Sequence, residues 1–206
     1  MSHIHLDLAE TNVNTINNLF ATYGQSDYIG ESITQLEHAV QAGILALNDK
    51  RPNHIAIAAF LHDIGHLVGA SMPATTHMIE PNQHLNLGVQ KHEELGAEYL
   101  EQLGFPPSIT IPIKNHVLAK RYLLTLDNTY AEEVSTASMQ TFQLQGGVLS
   151  KEECREFEAS PYFEESILLR YYDDMAKIPN LYDENTTHAE FLKLLDLIKN
   201  VLITTN

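Results

Sequence analysis

Ile55-Ala56-Ile57-Ala58-Ala59-Phe60-Leu61-His62-Asp63-Ile64-Gly65-His66 is the stretch on which the fold turns. Its first seven residues are apolar without strand-like alternation. A helix that is apolar all round belongs in an interior. The run therefore carries His62 and Asp63 inward with it. A lone His–Asp pair is ordinarily a helix cap or a surface pair, but this one closes a buried run. A buried aspartate is costly unless a cation or metal ion offsets it. On one helix the two side chains stand about 100° apart, so both can reach one cluster from the same edge. His66, four residues after His62, shares its face. A carboxylate can bridge two metal ions, which a neutral imidazole cannot.

Helical periodicity dominates on both sides of this stretch. Helices are expected over residues 4–22 and 32–47, and from Pro52 through His62-Asp63 to a break near residues 65–69. A loop is expected over 23–30, and a polar, proline-containing loop over 71–83, with His77 inside it and His84 just after it. Further helices are expected over 90–103, capped by Gly104, and over 106–124, opened by prolines that a first turn tolerates. The pattern continues over 131–144, 150–158, 162–177 and 187–203. Ser150 with Glu153 three residues later has the form of a capping box. No segment alternates as a strand, so the fold class is all-α. One domain spans 1–206, with a core of about 27–177 and helices 4–22 and 187–203 as additions.

The chain has 206 residues, 44% hydrophobic, enough for a substantial core. Its formal charge of −15 argues against nucleic acid or an anionic membrane as partner. An anionic substrate would need strong local positive charge. The longest apolar stretch, near residues 55–61, is far short of the ~20 residues a membrane span requires. Residues 1–10 lack the pattern of a secretory signal. A single cysteine, Cys154, leaves no disulfide framework and fits a cytoplasmic protein.

Eleven histidines are many for this length. His38 lies on the helix before the apolar run, beside its stripe. His92 opens a later helix, His116 lies within another, and Asp173 sits near the end of a further one. The order His38, His62-Asp63, His92, His116, Asp173 offers six nitrogen and oxygen ligands from separate helices, with no thiolate. That set suits two hard or borderline metal ions held in a helical bundle. Lys120, four residues after His116, falls on the same helix face, whereas Arg121 is turned away and reads as structural. Ser138 and Thr141 share a face and either contact a ligand or bond back to their own helix.

At these residues the chain resembles the HD-domain superfamily. More narrowly, it resembles the HD-domain oxygenases that cleave carbon–phosphorus bonds, relatives of the myo-inositol oxygenases. The resemblance covers roughly residues 27–177. It is carried by Asp27-Tyr28-Ile29-Gly30-Glu31, Gln35-Leu36-Glu37-His38, Leu61-His62-Asp63-Ile64-Gly65-His66 and Gly96-Ala97-Glu98-Tyr99-Leu100. It continues in Leu103-Gly104-Phe105, His116-Val117-Leu118-Ala119-Lys120-Arg121-Tyr122-Leu123, Gln145-Gly146-Gly147 and Arg170-Tyr171-Tyr172-Asp173. The His-Asp core is shared with many phosphohydrolases. The first segment, the Lys120 segment and the Gln-Gly-Gly turn are specific to the phosphonate oxygenases.

The resemblance implies a helical bundle around a mixed-valent diiron site (Fe2+/Fe3+). One iron would be held by His38, His62, Asp63 and Asp173, the other by His92, His116 and the bridging Asp63. Tyr28 would cap an iron before substrate arrives. Glu31 would meet the substrate's amino end, with His66 beside the substrate. Lys120, Ser138, Thr141, Gln145 and Arg170 would supply phosphonate and supporting contacts. The implied reaction uses O2 to cleave a 1-hydroxy-2-(substituted)aminoethylphosphonate to phosphate and glycine or an N-methylated glycine. A partner hydroxylase would supply the 1-hydroxy substrate. A quaternary ammonium would favour aromatic faces, for which Tyr23, Tyr28, Tyr171 and Tyr172 are candidates. The chain departs from the family pattern between Gly69 and Gln90, where its loop is longer. The competing expectations are a metal-dependent HD phosphohydrolase and a non-catalytic metal-binding regulator.

Overall fold

The computed structural model describes residues 3–73, 77–79 and 86–205. Helices α1 (His3–Tyr23), α2 (Gln35–Asn48), α3 (Asn53–Leu61) and α4 (Ile64–Gly69) lead to a two-stranded hairpin, β1 (His77–Ile79) and β2 (Asn86–Val89). Helices α5 (His92–Gln102), α6 (Pro107–Leu126), α7 (Tyr130–Glu133), α8 (Thr136–Leu144), α9 (Lys151–Glu158), α10 (Phe163–Met175) and α11 (Glu184–Thr205) follow. The fold is helical, as the periodicity implies.

α3 is the axis of the core, with every residue from Ile55 to Leu61 buried. α2 lies along it, and α6, α10 and α11 close around it. α6 also receives α5 and α10, and α1 packs on α11. Phe20, Phe60 and Phe191 meet where α1, α3 and α11 come together. Both end helices thus add side chains to the same core.

Local chemistry sets the ends of these helices. Ser150 and Glu153 form the expected capping box. Thr34 and Glu37 form a second, which starts α2 at Gln35 and leaves Ser32 outside. After α5, Gly104 takes φ +83°. Its N–H donates to Glu101 O, and that of Phe105 to Leu100 O, a paired C-terminal cap.

The structure corrects three local expectations. His62 and Asp63 do not lie on a continuous helix; they form the junction between α3 and α4. The helix expected over 131–144 breaks at Val134-Ser135, where Ser135 caps α8 through the N–H of Ser138. The loop expected over 71–83 contains β1, paired antiparallel with β2. His77 pairs with Val89 across that hairpin while its side chain hydrogen-bonds that of Asn86, and His84 lies outside the described residues.

Candidate metal centre

Six side chains from α2, the α3–α4 junction, α5, α6 and α10 converge in the interior. They form two triads, His38, His62 and Asp173, and Asp63, His92 and His116. Asp63 stands between the histidine pairs. Its Oδ2 lies 3.3 Å from His62 Nε2 and 3.7 Å from His38 Nε2. Its Oδ1 lies 3.3 Å from His92 Nε2 and 3.5 Å from His116 Nε2. Asp173 Oδ1 closes the first triad, 3.5 Å from His38 Nε2 and 3.8 Å from His62 Nε2.

The tautomers follow from the backbone. His62 Nδ1 donates to Ala59 O, His116 Nδ1 to Ile113 O and His92 Nδ1 to Val89 O, each a carbonyl three residues earlier. His38 Nδ1 donates to Ala176 O, beyond the end of α10. Carbonyls only accept, so each ring carries its proton on Nδ1 and aims Nε2 at the centre. The Nε2 atoms then meet in pairs, His38 with His62 and His92 with His116, both at 3.1 Å. Two lone pairs at that separation repel unless a cation lies between them. Imidazole nitrogens and carboxylate oxygens without thiolate are donors for a borderline or hard divalent ion. The residues present therefore fit a pair of metal ions.

Protonation reports the same demand for positive charge. Burial pushes His62 down, but the Asp63 charge and hydrogen bond outweigh it and carry the ring up to about 9. Burial and the charge on His62 hold its neighbour His38 down to about 4. Burial opposes the ionisation of Asp63 as well, yet the flanking histidines keep it well below the usual carboxylate range. His92 rises and His116 falls in the same fashion.

A cleft opens on this cluster, lined by Tyr28, Glu31, His66, Lys120, residues of α8 and Arg170. Tyr28 lies flat on His38, ring centres 3.8 Å apart, and its hydroxyl donates to Asp173 Oδ1 at 3.3 Å. Burial and the Asp173 charge push that hydroxyl well above its ordinary range. Tyr28–Glu31 is a tight turn in which the Glu31 N–H donates to Tyr28 O. Gly30 holds φ +80° there, and a Cβ at that position would meet Ala137 of α8 at 2.6 Å. The turn delivers Glu31 to the cleft, where its buried Oε1 lacks a hydrogen-bond partner among the described residues.

His66 stacks on His92, ring centres 4.0 Å apart, and its Nδ1 accepts the Val89 N–H. Burial and the neighbouring His92 lower it to about 3. Lys120 donates to Thr141 Oγ1 at 2.9 Å. Thr141 and Ser138 also serve their own helix: Thr141 Oγ1 donates to Ala137 O and Ser138 O. Burial and the Arg170 charge hold Lys120 down to about 7. Arg170 Nη1 pairs with Asp173 Oδ2 at 2.6 Å, and the guanidinium also binds Asp174 and Tyr130. Gln145 ends α8, with its buried Oε1 also lacking a partner among the described residues. Arg121 is structural: it donates to the carbonyls of Gly146 and Gly147 and fastens the turn after Gln145.

Over residues 28–196 the sequence matches the HD-domain family. The chain belongs to the HD-domain family. Among its relatives, an uncharacterised protein of Acanthamoeba polyphaga mimivirus is 42% identical over 93% of this chain and 80% of its own length. A [1-hydroxy-2-(trimethylamino)ethyl]phosphonate dioxygenase (glycine-betaine-forming) of Leisingera caerulea is 37% identical over 80% of each chain. A hydroxymethylphosphonate dioxygenase of Gimesia maris is 37% identical over 85% of each.

The cleft of this HD domain also contains residues that sequence reasoning missed. Ile29, Met78, Val117 and Ala137 give it apolar wall, and Gln35 and Lys177 give it polar atoms. The sequence signal for Lys177 is its spacing, four residues after Asp173. Of the four tyrosines considered for a cation-binding face, only Tyr28 lines the cleft. Tyr23 packs against the core, Tyr171 is 41% exposed, and the Tyr172 hydroxyl binds Asp49. His77 is not among the cleft residues.

Proposed function

We propose that this protein is a dioxygenase that cleaves the C–P bond of a small 1-hydroxyphosphonate. The observation that carries the proposal is the shared Asp63 between two histidine pairs, opening on a cleft with Lys120 and Arg170. Two relatives bear the names of phosphonate dioxygenases. The proposed metals are two iron ions, one with His38, His62 and Asp173, one with His92 and His116, and Asp63 common to both. When bound, they supply redox chemistry with O2 and Lewis acidity toward the substrate oxygens.

The protein's own groups do the rest. Lys120 and Arg170 offset the phosphonate charge within an acidic chain, with Ser138, Thr141 and Gln145 completing its contacts. Tyr28 covers the centre on the His38 side and keeps water from it until substrate enters. His66, held neutral by burial, presents an uncharged ring beside the substrate. Glu31 offers the substrate's far end a carboxylate oxygen that has no partner among the described residues. A carboxylate there favours an ammonium with N–H donors, since a trimethylammonium has none and prefers aromatic faces. Among the described residues only Tyr28 provides such a face. The preferred substrate is therefore a 1-hydroxyphosphonate with a primary or N-methylated amine, giving phosphate and glycine or an N-methylated glycine. A hydroxylase acting earlier would supply the 1-hydroxyl.

The test is anaerobic reconstitution with iron, followed by O2 uptake and phosphate release on adding candidate substrates. The two should rise together and in proportion. Phosphate released at full rate without O2 would make the protein a hydrolase instead.

A further inference from the structure

Lys177 lies just past the end of α10 and lines the cleft, its side chain only 10% exposed. Its Nζ stands 3.3 Å from Asp173 Oδ1, 3.4 Å from Asp174 Oδ1 and 3.5 Å from Ser138 Oγ. These separations are longer than the usual ~2.7–2.9 Å of an ammonium–carboxylate hydrogen bond. Both carboxylates have other partners. Asp174 is bound by Arg170 and by the Tyr130 hydroxyl. Asp173 Oδ1 is the oxygen that completes the His38–His62 triad. A metal ion there would engage that oxygen and repel a neighbouring ammonium.

Ser138 Oγ is also 3.5 Å from Arg170 Nη2, so two cations flank this hydroxyl. One turn along α8, Lys120 binds the Thr141 hydroxyl. Three cations and two hydroxyls therefore border one stretch of the cleft wall, on the face of α8 turned toward the centre. A phosphonate presents three oxygens that can each accept charged donors.

We infer that Lys177 is a further phosphonate-binding residue, the third cation of a seat formed with Lys120 and Arg170. The inference rests on the phosphonate reading above. With metal bound, the ammonium leaves Asp173 for the substrate's oxygens, a movement of one side chain across the Ser138 hydroxyl. Lys177 thus couples the occupied centre to the readiness of the anion seat.

The test is anaerobic calorimetric titration of methylphosphonate into the iron-loaded protein and its Lys177→Met and Lys177→Arg variants. Iron per chain and the circular dichroism spectrum are measured for each. Loss of one charge-assisted hydrogen bond corresponds to a Kd weaker by about tenfold or more. Lys177→Met should show that loss, Lys177→Arg much less, and both should retain wild-type iron. Methylphosphonate binding unchanged in Lys177→Met would overturn the inference. So would weakening that merely tracks lost iron, because Lys177 would then serve Asp173 alone. If Lys177→Met does not fold, Lys177→Gln is read by the same criteria. A wild-type protein that ignores methylphosphonate would bring down the phosphonate reading itself, an outcome distinct from the others.

Discussion

The ring of Tyr28 lies on the ring of His38 at 3.8 Å with only 14° between their planes. The contact covers the histidine from the cleft side, while the hydroxyl reaches Asp173. Ring and hydroxyl can be separated by mutation. Tyr28→Ala should speed metal release to a chelator by about tenfold, the low end for groups that support metal ligands. Tyr28→Phe should release metal at close to the wild-type rate. Stopped-flow measurement with a coloured chelator distinguishes the two; equal rates for all three proteins would remove the covering role.

Asp63→Ala should abolish O2 uptake and phosphate release together, and bound metal should fall below one ion per chain. The reason is that both histidine pairs face its carboxylate: without it the His38–His62 pair keeps Asp173 alone, and the His92–His116 pair loses the carboxylate of its triad. Metal analysis after gel filtration measures this. Substantial turnover in the variant would rule out a shared centre.

How much of this was readable in advance differs from residue to residue. α3 was plain because an uninterrupted apolar run has one destination. The box at Ser150 and the cap at Gly104 were plain because their chemistry is local. The hairpin was not, since strands of three and four residues are too short for alternation to register. The α3–α4 junction was hidden because Ile64–Gly69 resumes helix at once. Among the site residues, the order of histidines and aspartates suggested convergence, but the inward aim of each Nε2 depends on carbonyl bonds that no pattern displays. Lys177 was missed although the helix expected over 162–177 includes it four residues after Asp173, because that spacing alone does not distinguish a cleft lysine from a solvated one.

Glu31→Gln should discriminate between substrates. The buried Oε1 has no hydrogen-bond partner among the described residues, so it is open to an amine. Affinity for an aminated 1-hydroxyphosphonate should fall about tenfold or more, the usual cost of a charged hydrogen bond. Affinity for hydroxymethylphosphonate, which has no amine, should hardly change. Equal losses for both compounds would show that Glu31 shapes the cleft without reading its contents.

Gly65 permits α4 to touch the start of α5. A Cβ there would stand 1.9 Å from the carbonyl oxygen of His92 and 3.0 Å from the Gly96 nitrogen. Gly65→Ala should destabilise the fold by about 3 kcal/mol, as overpacking against backbone does, and should displace His92. Chemical denaturation and metal content should fall together. A stable variant with full metal would mean that the helices part at little cost.

Lys120 should gain a proton when an anion binds. Burial, Arg170 and Lys177 disfavour its charge while Asp173 and Asp174 favour it, with the balance at about 7. At pH 8 it is mostly neutral in the empty cleft, and a phosphonate raises its proton affinity. Binding should therefore weaken as pH rises through about 7, with net proton uptake at pH 8. Calorimetry in buffers of different ionisation enthalpy measures the uptake, and Lys120→Met should lack it. Identical uptake in wild type and variant would assign the proton to the ligand.

Three of the four histidines take their orientation from a carbonyl three residues upstream, whereas His38 takes its own from Ala176, far along the chain. The first three rings are aimed by short-range geometry as soon as their own turns form. The fourth is aimed only after α10 has docked beside α2. During folding, the His92–His116 half can be poised early, and the His38 half waits for the long loop to close. A molecule loosened at α10 would keep one hand of its grip and lose the other.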